Sequence, residues 1–188
     1  VRAACECGVD AVKLQTYTPD TLTLKSNSDP FQIQVNDAWK GRTLHDLYKL
    51  AYMPWKWYPV LAKIAKSYGV IMFSTAYDDT AVDFLEKMKV PAYKIASFEL
   101  PDPELLKKIA HTKKPVIISR GMATKNELRE AIAVLRKNGT KQIAILHCVS
   151  SYPAKPEEMN LATIADLKKK FNIVSGLSDH SLVTSIAV

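Results

Sequence analysis

Residues able to hold an anion or move a proton recur at one kind of place in this sequence, the ends of short apolar segments. Lys13 and Gln15 lie in AVKLQ, and Ser74 and Thr75 close VIMFST. Lys94 runs through the middle of AYKIAS, with Ser97 and Glu99 directly after it, and Ser119 ends PVIIS. His147 sits inside IAILHCV, which leads into Ser150, Ser151 and Tyr152, while IVSGL leads into Ser178-Asp179-His180. An ammonium group in an apolar segment loses hydration that its neighbours cannot replace, so Lys94 calls for a negative partner or an exposed edge. Two lysines with several short hydroxyls suit a phosphate or carboxylate, because charge-assisted hydrogen bonds can replace the anion's water. Glu99 is placed to act as an acid or base.

Several of these residues also have plainer roles. A Ser or Thr after a strand often serves only a turn or a helix cap. His147, inside an apolar strand, suits a core or supporting histidine better than a ligand. His180 differs, because it follows Asp179 in a loop and suits a divalent metal. A desolvated Lys94 could instead form a Schiff base, which keeps a barrel aldolase or lyase open as a rival.

The elements that must position these groups follow from periodicity. Strands are predicted at 11–15, 70–74, 92–97, 115–119, 143–149 and 173–177, and helices near 56–68, 79–89, 103–112, 124–138 and 160–171. Thr124 with Glu127 forms a capping box, and Gly139 stands past the end of that helix. Strand followed by helix, repeated, implies an α/β fold with a parallel sheet, and a (β/α)8 TIM barrel is the leading architecture. In such a barrel the strands' carboxyl ends share the face that carries chemistry. Residues 16–55 break the rhythm with a long connection, a length more often functional than filler. Trp39, Trp55, Trp57 and Tyr58 are expected to pack beneath it.

The totals narrow the function classes. The 188 residues, 47% hydrophobic and 24% charged, describe an ordinary globular chain without a membrane-length apolar run. A net charge of +7 favours acidic ligands, but the lysine runs at 107–108, 113–114 and 168–170 lack the interleaved aromatics of a nucleic-acid platform. Neither nucleic acid nor membrane is therefore expected as a partner. Three cysteines without a Cys-x-x-Cys pair provide no disulfide framework or zinc cage and suit a reducing, cytoplasmic setting. Gly-x-Gly-x-x-Gly and Walker patterns are missing, which disfavours a nucleotide-binding sheet.

Six ordered motifs carry a family resemblance: KLQTYTPDTLT, FSTAYDDTAVDFLE, PAYKIASFEL, ISRGMAT, HCVSSYPAKPEEMNL and GLSDHS. Together they resemble the sialic acid synthase (NeuB-like) family, enzymes that condense phosphoenolpyruvate with an amino sugar. DPFQI and the following AWKGRTLHDLYKLAYMPWKWYP are similar to its pseudaminic acid synthase branch, with the N-acetylneuraminate and legionaminate synthase branches as the alternative. The resemblance implies that residues 1–188 form a partial NeuB-type barrel domain, about strands two to seven. It also implies a C-terminal antifreeze-like (SAF) domain outside this chain and a homodimer in the full-length protein. The isolated chain is then expected to be inactive, since the family's first and eighth strands carry an active-site glutamate and a second metal histidine.

Carried over residue by residue, the resemblance implies that Lys13, Thr75 and Lys94 hold the phosphoenolpyruvate anion. Ser97, Ser119, Ser150 and Tyr152 would line the same ligand, and Gln15 would touch the acetamido sugar. Glu99, with Lys94, would serve catalysis, Asp179 would give support, and His180 would bind a divalent metal (Mn2+ or Mg2+). Arg120 departs from the family's usual Ser-Thr-Gly-Met, and Ala76-Tyr77 departs from its usual Thr-Pro-Phe.

Overall fold

The structure is a computed structural model, described for residues 1–34 and 39–186. It falls into two compact units, residues 1–90 and 91–188. In the first, α1 (Arg2–Glu6) leads into β1 (Ala11–Thr16), which pairs in parallel with β2 (Ile71–Ala76), Ala11 opposite Ile71 and Thr16 opposite Ala76. Strand alternation places Lys13 and Gln15 on one face of β1, and Gln15 lies opposite Thr75. On the other face the Thr16 and Ser74 hydroxyls meet at 2.8 Å, so two buried polar groups satisfy each other.

The long connection contains short pieces, as its Pro, Asn and Asp content leads one to expect. These are α2 (Pro19–Leu22), a 310 turn at Asp29–Phe31, α3 (Leu44–Ala51) and α4 (Tyr58–Ser67). Each start has a local cause: Thr18 and Thr43 accept backbone N–H bonds from Thr21 and Asp46, and Pro19 and Pro59 stand in first turns. The Val35, Asn36, Asp37 and Ala38 part of the branch-like stretch lies outside the described residues. Trp55 and Tyr58 pack as expected, Trp55 stacking on Phe84 of α5 (Asp79–Lys87) at 4.7 Å and Tyr58 meeting the same ring edge-on. Trp39 lies beneath the Arg42 guanidinium. Trp57 departs from the expectation, with 52% of its surface exposed.

The second unit alternates β3 (Tyr93–Ile95), α6 (Pro103–His111), β4 (Val116–Arg120), α7 (Lys125–Lys137), β5 (Ile143–Cys148), α8 (Ala162–Phe171) and β6 (Val174–Ser178). The four strands are parallel neighbours in sequence order. One face of this sheet is apolar: Tyr93, Ile95, Val116, Ile118 and Ile145 are buried, as are Leu106 and Ile109 of α6 and Leu128 and Leu135 of α7. Each such aliphatic side chain contributes about 2 kcal/mol through the surface it removes from water. The opposite face bears Lys94, Ile117, Ser119, Leu146 and Cys148 by alternation and register. Gly176 has no side chain beside Leu146 there, and a Cβ would come within 3.3 Å of the leucine. The capping box of α7 forms in both directions, with Glu127 N–H on the Thr124 hydroxyl and Thr124 N–H on the Glu127 carboxylate. Strand β3 is shorter than predicted, because residues 97–100 form a turn closed by the Asp102 N–H on the Glu99 carbonyl. Ser97 and Glu99 therefore sit in that turn, between the strand and the Asp102-capped α6.

Candidate functional site

Lys94 is the centre of the polar group at the carboxyl ends of β3, β4 and β5. The residue is only 5% exposed, and its ammonium donates to the Ser119 hydroxyl, one strand away on the same face. Its charge also acts on Glu99, five residues further along. Glu99 is half-buried, and burial pushes its carboxyl above the usual carboxylate range, although Lys94 and a backbone hydrogen bond pull the other way. Its Oε2 is buried and takes no hydrogen bond. Burial thus favours the protonated form of this carboxyl, against the opposing pull of Lys94.

A second cluster surrounds Gly121. The Ser97 and Ser150 hydroxyls meet at 3.0 Å, and the alpha carbon of Gly121 faces them so closely that a Cβ would lie 2.2 Å from Ser150 Oγ and 3.0 Å from Ser97 Cβ. Glycine is required here for close approach rather than for an unusual backbone angle. Two hydroxyls against bare backbone make a small cradle of donors. Tyr152, 69% exposed, has its phenol held above the ordinary range by loss of water around it, then by the charges of Cys148 and Glu99.

His180 is oriented by β5. Its Nδ1 donates to the Val149 carbonyl at 2.8 Å and lies 3.7 Å from Cys148 Sγ, while its ring packs against Tyr152 at 4.3 Å between centroids. With Nδ1 carrying the proton, Nε2 keeps a lone pair, the form in which histidine binds a metal. His180 thus fits a metal as one ligand. Among the described residues no group of three or more His, Cys, Asp or Glu gathers around a common point, so they do not form a complete cage. Asp179 is occupied with the turn after it, accepting from the Ser181 N–H and hydroxyl, and these bonds hold its carboxyl below the usual range. His147 is a supporting residue, as expected: it donates from Nε2 to the Met159 carbonyl at 2.6 Å and anchors the loop bearing Ser150 and Tyr152. Its Nδ1 is buried without a partner.

Lys13, Gln15 and Thr75 belong to the first unit. Lys13 stays exposed, yet nearby protein removes enough water to lower its pKa. Thr75 is buried, and Gln15, exposed, donates to the Tyr77 hydroxyl at 2.8 Å. The structure therefore gathers Lys94, Ser97, Glu99, Ser119, Ser150, Tyr152 and His180 within one unit, and Lys13 with Gln15 and Thr75 on two paired strands of the other. Sequence reasoning passed over Gly121 and Cys148. A glycine directly after a strand, following Ser119 and Arg120, was the available signal for the first; a lone cysteine within an apolar strand gives none.

Comparison with known proteins adds to this geometry. All 188 residues match the NeuB family. The pseudaminic acid synthase of Helicobacter pylori is 42% identical over 97% of this chain and 53% of its own length. The N,N'-diacetyllegionaminic acid synthase of Legionella pneumophila is 34% identical over 97% of the chain and 52% of its own length. The chain thus spans about half the length of the curated relatives it matches. The crystal structure of an N-acetylneuraminic acid synthetase from Leptospira borgpetersenii, in complex with citrate, superposes with a TM-score of 0.84 at 28% identity, over 98% of this chain and 59% of that one. The α/β (β/α)8 fold class expected from the alternation of elements is thereby established, with six of its strands present here.

Proposed function

The chain belongs to the NeuB family, and from that membership we propose that the intact protein condenses phosphoenolpyruvate with the open-chain aldehyde of an acetamido sugar, releasing phosphate and a nine-carbon 2-keto acid. The sugar we assign is that of a pseudaminic acid synthase, the activity named for a relative at 42% identity against 34% for a legionaminic one. The observation that carries the reading is Lys94, a buried ammonium tied to Ser119 and facing Glu99. A buried cation with a neighbouring hydroxyl suits an anionic ligand.

In this reading Lys94, Ser119, Ser97 and Ser150 hold the phosphoenolpyruvate carboxylate and phosphate, and Tyr152 closes over the ligand. Lys13 and Thr75 also contact this anion, and Gln15 the sugar. The terminal methylene carbon of the enol phosphate attacks the aldehyde carbon, and protonated Glu99 gives its proton to the aldehyde oxygen. The former enol carbon bearing the phosphate is then cationic and takes up water. Glu99, now a carboxylate, accepts one proton from that water, and the carbon–oxygen bond to phosphate breaks as the remaining hydroxyl proton passes to the departing phosphate, leaving the keto group. A divalent ion, Mn2+ or Mg2+, with His180 as one ligand, would supply Lewis acidity toward the sugar when bound. The family plan supports a C-terminal antifreeze-like domain, a homodimer and a cytoplasmic site of action. No helix among the described residues is long and apolar enough to cross a membrane.

The test is turnover by the intact protein of a 6-deoxy altrose diacetamido sugar against N-acetylmannosamine, each with phosphoenolpyruvate, followed by phosphate release. Turnover of only N-acetylmannosamine sinks the pseudaminic assignment and leaves the condensation. Borohydride trapping of a carbonyl substrate on Lys94 would replace the anion-binding role with Schiff-base chemistry.

A further inference from the structure

The first unit holds a chain of aromatic contacts that ends on one of the proposed sugar-binding side chains. Tyr77, just past β2, meets the edge of Tyr17 at 5.4 Å between ring centroids, with planes 79° apart. Tyr17 meets Tyr48 of α3 in the same manner at 5.8 Å, and its carbonyl accepts the Trp55 indole N–H at 3.1 Å. Trp55 in turn stacks on Phe84. Tyr17 is buried. The Tyr77 phenol is therefore held by packing that runs through α3, the Trp55 turn and α5.

That fixed phenol oxygen accepts the Gln15 side-chain amide N–H at 2.8 Å. An exposed glutamine ordinarily samples many rotamers, and its amide presents a donor end and an acceptor end of opposite character. Here one N–H of the donor end is engaged by Tyr77, which fixes the amide's orientation and turns Oε1 away from the phenol. We infer that Tyr77 is a positioning residue that fixes the Gln15 amide with Oε1 outward, to accept a hydrogen bond from an acetamido N–H of the sugar. This rests on the proposed condensation and names the pair that selects its sugar. The hydroxyl is a departure from the Thr-Pro-Phe pattern, since phenylalanine would keep the ring contact with Tyr17 and leave the amide unanchored.

The experiment measures KM for the diacetamido sugar and for phosphoenolpyruvate in the intact protein carrying this sequence, for wild type, Tyr77→Phe, Gln15→Met and the double variant. Each single change is expected to raise the sugar KM about two- to tenfold, the range for one neutral hydrogen bond, with phosphoenolpyruvate KM unchanged. The double variant should be no worse than the worse single one, because both changes break one coupled unit. Additive losses, an equal rise in both KM values, or an unchanged sugar KM in either single variant overturns the inference. Gln15→Met lies at an exposed strand position, and an unchanged sugar KM there overturns the inference even if Tyr77→Phe fails to fold. If wild type turns over neither substrate, the condensation falls, and calorimetric binding of the diacetamido sugar then judges the pair. Weaker binding by Gln15→Met supports the inference, and unchanged binding overturns it.

Discussion

Gly121→Ala should separate ligand affinity from stability. The new Cβ would lie 2.2 Å from Ser150 Oγ, 3.0 Å from Ser97 Cβ and 3.2 Å from Ser97 Oγ. The closest of these is the end of a side chain, so the Ser150 hydroxyl can rotate away, at the cost of its 3.0 Å bond to Ser97. Losing one neutral hydrogen bond costs about 0.5–1.5 kcal/mol. Replacing glycine at a backbone angle open to alanine returns about 0.4–1 kcal/mol through the unfolded chain. The net change is then about 1 kcal/mol or less, a Tm shift of about 2–4 °C at this chain length. Affinity behaves differently, because both displaced hydroxyls would otherwise donate to a charged ligand. At about 1.5–3 kcal/mol for a hydrogen bond to a charged group, losing even one raises the phosphoenolpyruvate KM by about ten- to hundredfold. Differential scanning fluorimetry and steady-state kinetics on the intact protein measure both quantities. An unchanged phosphoenolpyruvate KM would refute the cradle, and a Tm loss of about 10 °C or more would refute the claim that rotation of the Ser150 hydroxyl and a slight shift at Ser97 accommodate the methyl group.

Three further changes probe other links. Lys94→Met should raise the phosphoenolpyruvate KM far more than the sugar KM, and equal effects on the two would remove Lys94 from the anion site. Burial raises the Glu99 pKa above its ordinary value of 4.5, so the folded form holds this proton more tightly than the unfolded chain. That stabilisation is complete below the ordinary pKa and is lost as pH rises through the raised one. Glu99→Gln should therefore lower kcat while its Tm advantage over wild type grows from acid to neutral pH; an advantage that shrinks with pH contradicts the burial. Thr124→Ala removes the α7 cap and should cost about 1 kcal/mol, with both KM values unchanged in kinetic assays.

How much of this was legible in the sequence depends on the range of the force involved. Strand and helix positions came through because each apolar period reports a buried face, and the Thr124–Glu127 box because its bonds span three residues. Lys94 was legible as a conflict, a cation in an apolar strand, and the fold answers that conflict with the Ser119 hydroxyl and the nearby Glu99. β3 ran short for a local reason that periodicity misses: Asp102 caps α6 and draws residues 97–100 into a turn. The contacts of Gly121 were hidden because they depend on Ser97 and Ser150, residues on two other loops whose approach only the folded sheet determines.

In the proposed reading, the same distinction lets the polar groups serve an anion without destabilising the fold. The apolar face of the second unit's sheet carries the core, on the side of the strands away from Lys94 and Ser119. The opposite face and the loops beyond it would then hold groups chosen for a ligand. Lys94 on Ser119, and Ser97 on Ser150 in the loops beyond the strands, are paired polar groups that the proposed phosphate or carboxylate would engage. Binding exchanges these weak neutral partners for charged ones without reorganising the core. The cost of preparing the site is therefore borne by folding, mainly by apolar burial on the far side of the same strands.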